Sequence, residues 1–215
     1  MAAEAAAALV KDGQIVGLGT GSTAEFAVKA IAARVQAGLK IQGIPTSDST
    51  AKMATALGIS LIDINSVDTI DITIDGADEF TSRLELIKGG GGALLKEKIV
   101  ASKTAQEIII ADSSKHVELL GQFKLPVEVI PFASRYVLQQ VARLGGNGVI
   151  RQHKGETFIT EEGNVIVDVD FKQITDPKGL SEALNGIVGV VEHGLFVGLA
   201  QQVMMGQGTE VKVFR

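Results

Sequence analysis

The chain has 215 residues, 46% of them hydrophobic and 21% charged, with a net charge of −5, which is enough for a sizeable core in one large domain or two small ones. Its scattered basic residues argue against a nucleic-acid partner, and no apolar run approaches membrane-spanning length. The lack of cysteine excludes disulfides, thiol nucleophiles and thiolate metal sites. Aromatic residues are only 4%, so Ala, Val, Ile and Leu must build the core, as in folds with buried parallel strands.

Residues 1–10 are Ala-rich, carry Glu4 and lack a basic region. They read as a helix over 2–11 rather than a signal peptide, and the cytoplasm is the expected location. A strand is expected at 14–19, then a helix at 22–36 with Phe26, Ala30, Ala33 and Ala37 at helical spacing. A strand at 39–44, a helix at 49–57 capped by Asp48 or Ser49, and a strand at 60–62 follow. The alternation of Asp, Ile, Thr, Ile and Asp at 71–75 predicts a strand ending at a turn. Residues 92–104 read as helix and 107–111 as an apolar strand. This order predicts a parallel sheet with helices on both faces.

The pattern changes after Pro126. Strands are expected at 127–130, 149–153, 156–160, 165–171 and 187–191, with helices at 131–144 and from Asp176-Pro177 to Leu184. This predicts a smaller α+β domain of ferredoxin-like type. A last strand at 211–214 could rejoin the first sheet. Residues 1–125 together with 197–215 are expected to form the Rossmann-like domain, and 126–196 the smaller one.

Three segments could carry chemistry. The first, Gly17-Leu-Gly-Thr-Gly-Ser-Thr-Ala24, joins a strand to a helix. It matches a relaxed dinucleotide fingerprint, but the acidic partner expected about 20 residues later is missing. Thr20, Gly21, Ser22 and Thr23 could instead offer hydroxyls and N–H groups to a phosphate; a plain capped turn is the alternative. In the second, Asp75-Gly76-Ala77-Asp78-Glu79, two carboxylates sit beyond a strand expected inside the sheet, where open α/β sheets bind ligands. An Asx turn with a helix cap is the alternative.

The third is Lys88-Gly89-Gly90-Gly91-Gly92 with Glu97 behind it. Consecutive glycines cost chain entropy and let backbone N–H groups approach an anion, to which the lysine adds charge. Helical spacing puts Glu97 among Ala93, Leu94, Val100 and Ala101, with Lys96, Lys98 and Lys103 elsewhere. Burial there would raise its pKa toward the range of a general base; a surface pair or a structural salt bridge to Lys88 is the alternative. Lys115, at another strand's carboxyl end, could add a second positive charge. The histidines at 116, 153 and 193 show no metal-ligand spacing. An oxidoreductase using a dinucleotide and a non-catalytic sugar-phosphate sensor are the rival classes.

Taken together, GLGTGSTA at 17–24, DGADE at 75–79 and KGGGGALLKEKI at 88–99 resemble the A-type ribose-5-phosphate isomerase family. IADSSK at 110–115, LPVEVIPF at 125–132, GNVIVDV at 163–169 and HGLFVG at 193–198 extend the resemblance over essentially the whole chain. It implies interconversion of D-ribose 5-phosphate and D-ribulose 5-phosphate in the pentose phosphate pathway, without a metal or organic cofactor. It also implies a homodimer or homotetramer. Glu97 falls at the family's catalytic base, and Asp75, Asp78 and Lys88 at its essential polar positions. Thr20 to Thr23, the Lys88–Gly91 loop and Lys115 fall in its substrate-binding segments. The lysine often found early in the family's leading helix has no counterpart here, which leaves one phosphate contact unassigned.

Overall fold

A computed structural model describes all residues, 1–215. In chain order the elements are α1 (Ala2–Ala7), β1 (Ile15–Leu18), α2 (Ser22–Gln36), β2 (Gln42–Pro45), α3 (Asp48–Ala56) and β3 (Ile72–Gly76). Next come β4 (Glu79–Phe80), β5 (Leu86–Ile87), α4 (Leu94–Ser102), β6 (Glu107–Asp112), β7 (Leu125–Val129), α5 (Ser134–Arg143) and β8 (Asn147–Ile150). The last are β9 (Gln152–His153), β10 (Glu156–Thr157), β11 (Val165–Asp170), α6 (Pro177–Asn185), β12 (Val190–His193), β13 (Leu195–Phe196), β14 (Gln202–Gln207) and β15 (Glu210–Phe214). The chain forms two compact units. One comprises Met1–Ala77, Lys96–His116 and Gly198–Arg215; the other comprises Asp78–Leu95 and Val117–Val197. No helix is long and apolar enough to cross a membrane.

The first unit is built on a six-stranded sheet of order β15-β14-β6-β3-β1-β2. All its pairings are parallel except that of β14 with β15. Strand side chains alternate between faces. Val16, Leu18, Ile72, Ile74, Ile108 and Ile110 pack with α1 and α2 on one face. Ile15, Ile44 and Ile70 pack with Val100 of α4 in a separate cluster. The sheet places Asp75 in an interior strand, as expected. Gly17 of β1 lies opposite Thr73 of β3. A Cβ there would meet the Thr73 hydroxyl at 1.9 Å, and that hydroxyl bonds the Thr104 hydroxyl at 2.7 Å.

The second unit holds a four-stranded antiparallel sheet of order β12-β7-β11-β8. With α5 after β7 and α6 after β11, this is the βαββαβ arrangement of ferredoxin-like folds. Val127, Val129, Val165, Val167 and Val169 face a core shared with Val137 and Val141 of α5 and Leu184 of α6. A three-stranded sheet, β13-β5-β4, belongs to the same unit.

Several local expectations are corrected. The 60–62 strand is only a bridge between Gly43 and Leu61. Helix α2 buries Ala24, Ala27, Val28, Ile31 and Ala32, not the arc through Phe26, which is 64% exposed. Helix α3 is capped by Ser47, whose extended backbone lets its hydroxyl accept the Thr50 N–H at 3.1 Å. Helix α4 starts at Leu94, because Gly92 has a φ of 88°. Residues 131–133 form a 3-10 turn before α5. Strand β14, which the sequence reading does not contain, is what carries the last strand back to the first sheet.

Glu128 of β7 is fully buried on the sheet face away from the valine core. It accepts the Thr160 hydroxyl at 2.8 Å and the Asn164 amide at 3.0 Å through Oε1, while Oε2 has no hydrogen-bond partner. Burial pushes this carboxyl above the usual range, against the lowering effect of the Asn164 and Thr160 bonds.

Two outcomes follow from these packing features. Gly17→Ala should destabilise the chain by about 1–3 kcal/mol, the usual cost of overpacking, read as a lower denaturation midpoint; an unchanged midpoint would contradict the Gly17–Thr73 contact. Because folded Glu128 holds its proton more tightly than the unfolded chain does, its contribution to stability is lost as pH rises through the folded pKa. Relative to Glu128→Gln, the parent should therefore lose thermal stability as pH rises from the ordinary glutamate range through the raised folded pKa of Glu128. A difference between the two that does not change with pH would count against this.

Candidate active site

In the first unit, three neighbouring parallel strands deliver their carboxyl ends to one sheet edge, where open α/β sheets bind ligands. Strand β1 ends at the Gly19–Thr23 turn, β3 at Asp75 and Gly76, and β6 at Asp112 before Lys115. Asp75 is 1% exposed. Its Oδ1 accepts the Gly76 N–H at 2.7 Å and the Thr20 N–H at 3.1 Å. A Cβ on Gly19 would lie 2.2 Å from that oxygen, so only glycine lets the carboxylate come this close. A Cβ on Gly76 would lie 4.0 Å from the Thr23 Cβ.

The hydroxyls of the turn divide into two roles. Thr20 Oγ1 is held among Thr46, Ser47 and Thr50 hydroxyls at 2.7, 2.8 and 3.2 Å, and Thr50 donates to the Gly19 carbonyl at 3.0 Å. That cluster ties the turn to the start of α3. It also occupies the end of β2, where a dinucleotide enzyme would carry its ribose-binding acid. Gly21, with a φ of 103°, caps α2 without a side-chain bond. The first N–H groups of that 15-residue helix, with exposed Ser22 and half-buried Thr23, therefore face outward with the helix dipole behind them. Thr23 also lines a cavity of about 580 Å³ with Phe26, Lys29 and Asp112. Half-buried Lys115 follows β6. The Ser114 hydrogen bond, with Lys115 adding to it, holds the Asp112 carboxyl below its usual range.

Glu97 lies in the first turn of α4 and is 5% exposed. Its neighbours on the helix face, Leu94, Val100 and Ala101, are buried as well. The expected apolar arc with a carboxylate at its centre is thus formed. Lys96 turns to Asp48, with Nζ and Oδ1 3.3 Å apart.

In the second unit, Asp78 and Lys88 bracket the β4–β5 pair. The Asp78 N–H donates to the Ile87 carbonyl at 2.8 Å, and Asp78 Oδ2 accepts the Gly90 N–H at 2.7 Å. A Cβ on Gly90 would meet the Asp78 carboxylate at 2.5 Å. Lys88 is 2% exposed. Its N–H donates to the Gly194 carbonyl at 2.9 Å, and its Nζ lies 5.5 Å from the centre of the Phe196 ring. Gly89 and Gly92 have φ values of 95° and 88°, and the Gly92 N–H closes back on the Gly89 carbonyl at 3.0 Å. The glycines are therefore required for conformation at 89 and 92 and for space at 90.

The sequence reading missed the groups behind this loop. Arg151 Nη1 donates to the Gly89 and Gly90 carbonyls at 3.1 and 3.0 Å, and Asp168 grips the other side of the guanidinium at 2.9 and 2.5 Å. The Phe158 ring fills the space a Cβ on Gly92 would need. No short-range signal connects residues some 60 positions apart. His193, given no role from sequence, is buried. Its Nδ1 accepts the Leu195 N–H at 3.2 Å, which puts the ring proton on Nε2, facing the Ser181 hydroxyl at 3.2 Å. No group of three or more His, Asp or Glu side chains is arranged to hold a metal ion.

Residues 42–210 match the family model of ribose 5-phosphate isomerase A, also called phosphoriboisomerase A. A ribose-5-phosphate isomerase A of Parvibaculum lavamentivorans is 49% identical, covering 98% of this chain and 95% of that protein. The solved ribose 5-phosphate isomerase A of Methanocaldococcus jannaschii is 40% identical with a TM-score of 0.95, covering 100% of this chain and 96% of that one. A D-ribose-5-phosphate isomerase solved in complex with phospho-erythronic acid is 35% identical with a TM-score of 0.96, covering 99% and 95% of the two chains. With the match running through most of its sequence and nearly all of its fold, this chain belongs to the ribose 5-phosphate isomerase A family.

Proposed function

We propose that the chain interconverts D-ribose 5-phosphate and D-ribulose 5-phosphate through an enediolate, with Glu97 as the general base. The observation that carries this reading is a carboxylate buried on the apolar face of the helix that follows a lysine–glycine loop. A carboxylate in that setting is suited to proton transfer rather than to solvation. The phospho-erythronic acid held by the related isomerase supports it chemically, since a sugar acid presents a planar anionic end, as an enediolate does.

In the forward direction Glu97 takes the proton from C2, and the C2–H electron pair forms the C1–C2 double bond while negative charge develops on O1. Glu97 returns the proton to C1. The C2 hydroxyl gives up its proton as O1 gains one, which leaves a C2 ketone and a C1 hydroxyl. Lys88 and the N–H groups of the Gly89–Gly91 loop stabilise the anion. Preorganised donors of this kind typically contribute about 3–4 kcal/mol each. Asp75 assists ring opening and, with Asp78, orients the sugar hydroxyls alongside Gly76 and Ala77. The phosphate rests on Gly21, Ser22 and Thr23 with a lysine, Lys115 being the candidate, so that the reacting carbons are held in place. Thr20 supports this turn through its hydroxyl cluster.

We place the chain in the cytoplasm, in the pentose phosphate pathway, as a homodimer or homotetramer. Support for assembly comes from apolar side chains left open on the second unit, with Phe132 100% and Val188 81% exposed. Sedimentation of the purified chain as a monomer at micromolar concentration would overturn that placement.

The activity is tested by adding ribose 5-phosphate to metal-free purified protein and assaying ribulose 5-phosphate; no conversion would refute it. Glu97→Gln should lower kcat by about 10²–10⁴, the range of a positioned acid–base group, while substrate binding is largely retained. Near-normal turnover in that variant would remove Glu97 as the base. Gly90→Ala should also lose activity, because its Cβ has no room beside Asp78; parent-like kinetics would argue against the Asp78–Gly90 contact having a role.

A further inference from the structure

All the residues concerned lie in the second unit. Arg151 is placed by its backbone between β8 and β9, where its N–H donates to the Ile166 carbonyl at 2.8 Å and its carbonyl accepts the Phe158 N–H at 2.9 Å. Its side chain is 13% exposed, and that of Asp168 is 20% exposed. The guanidinium lies 5.8 Å from the centre of the Phe158 ring. Asp168 sits on β11 within the sheet, so the fork it offers is rigid. A bidentate Arg–carboxylate pair of this kind fixes the plane of the guanidinium as well as its position. The remaining nitrogen, Nη1, then meets two consecutive carbonyls, those of Gly89 and Gly90.

Two carbonyls held on one nitrogen determine where the next two N–H groups point. A trans peptide is planar, with its C=O and N–H antiparallel, and the chain has no cis peptide. The N–H groups of Gly90 and Gly91 must therefore point away from Arg151. That of Gly90 goes to Asp78 Oδ2 at 2.7 Å. That of Gly91, an exposed residue, donates to no protein acceptor. Charge on the carbonyl side of a peptide also polarises it and strengthens its N–H as a donor. Glycines alone would leave these planes free to rotate, since glycine has the widest choice of φ and ψ.

We propose that Arg151, oriented by Asp168, is a positioning residue for the isomerisation, setting the Gly89–Gly90 and Gly90–Gly91 peptide planes so that the Gly91 N–H is presented to the developing oxyanion. The proposal rests on the isomerase reading given above. It assigns Arg151 no contact with substrate. Its effect is on kcat rather than KM, because the phosphate and hydroxyl contacts belong to other residues.

The test compares the parent with Arg151→Ala and Arg151→Lys. Arg151→Ala should lower kcat by about 10–10², as expected when a preorganised group is misplaced by about an ångström, with KM changed less than about threefold. Guanidinium chloride at low, non-denaturing millimolar concentration should restore at least part of that kcat, while sodium chloride at equal ionic strength should not. If Arg151→Ala does not fold, Arg151→Lys carries the test, since an ammonium cannot span both carbonyls and both Asp168 oxygens. Turnover of the folded variant within twofold of the parent, or a lost kcat in Arg151→Ala that guanidinium leaves unmoved, would overturn the proposal. A second readout needs no substrate: the Gly90 and Gly92 amides, bonded to Asp78 and to the Gly89 carbonyl, should exchange hydrogen faster in the variant. Unchanged exchange would overturn the positioning role even if the parent shows no isomerase activity, whereas a parent that does not isomerise, with faster exchange in the variant, overturns only the reading of function.

Discussion

Two buried or half-buried carboxylates that accept peptide N–H groups where no Cβ can stand are the constraint on which this structure depends. In the first unit Asp75 takes the N–H groups of Thr20 and Gly76, with Gly19 too close to bear a side chain. In the second unit Asp78 takes the Gly90 N–H, and Gly90 is excluded from carrying a side chain in the same way. A carboxylate accepting backbone N–H groups is held in one rotamer by those bonds. The turns around it are held by the same bonds. Each aspartate therefore orders its loop.

The sheets supply what those bonds cannot. Asp75 lies at the end of an interior strand, between β1 and β6, so its backbone is fixed on both sides. The neighbouring strands end in the Gly19–Thr23 turn and the Lys115 segment, and a single sheet edge thus gathers an acid, a helix N-terminus and a lysine. In the second unit the short β13-β5-β4 sheet holds Lys88 through the Gly194 carbonyl. Gly194 has its own spatial reason: a Cβ would fall 2.3 Å from the Lys88 carbonyl oxygen. Rigid backbone behind polar side chains is what makes preorganised electrostatics possible, because little reorganisation is left for the moment of reaction.

The glycine run shows how one short stretch divides its labour. Gly89 and Gly92 are there for a left-handed φ. Gly90 is there for space beside Asp78. Gly91 contributes an N–H with no protein acceptor. Behind them the Arg151–Asp168 pair supplies the order that four flexible residues lack. A loop with this much freedom in sequence is thus over-determined in the fold, by Asp78 on its N–H side and Arg151 on its carbonyl side.

Much of this was legible in the residues alone. The alternation of apolar strands and helices up to residue 112 dictates a parallel sheet, because strands buried on both faces must be uniformly apolar. The bounds of α2 follow from its own sequence, since Gly21 stands at its N-cap and Gly38 takes a left-handed φ just past its end. Glu97 could be placed on a buried face because helical period is a local property. What depended on distant partners was not legible. The buried face of α2 turns away from Phe26, strand β14 exists because β6 offers it an edge, and Leu61 keeps only one bridge. Ser47 rather than Asp48 caps α3. Local sequence determined most of the elements, though not β14, together with the glycine positions and the placement of Glu97 on its helix. Only the tertiary structure decided that Arg151 stands behind Gly89 and Gly90, because hydrogen bonds between residues some 60 apart depend on how strands pair, and pairing leaves no mark at either position.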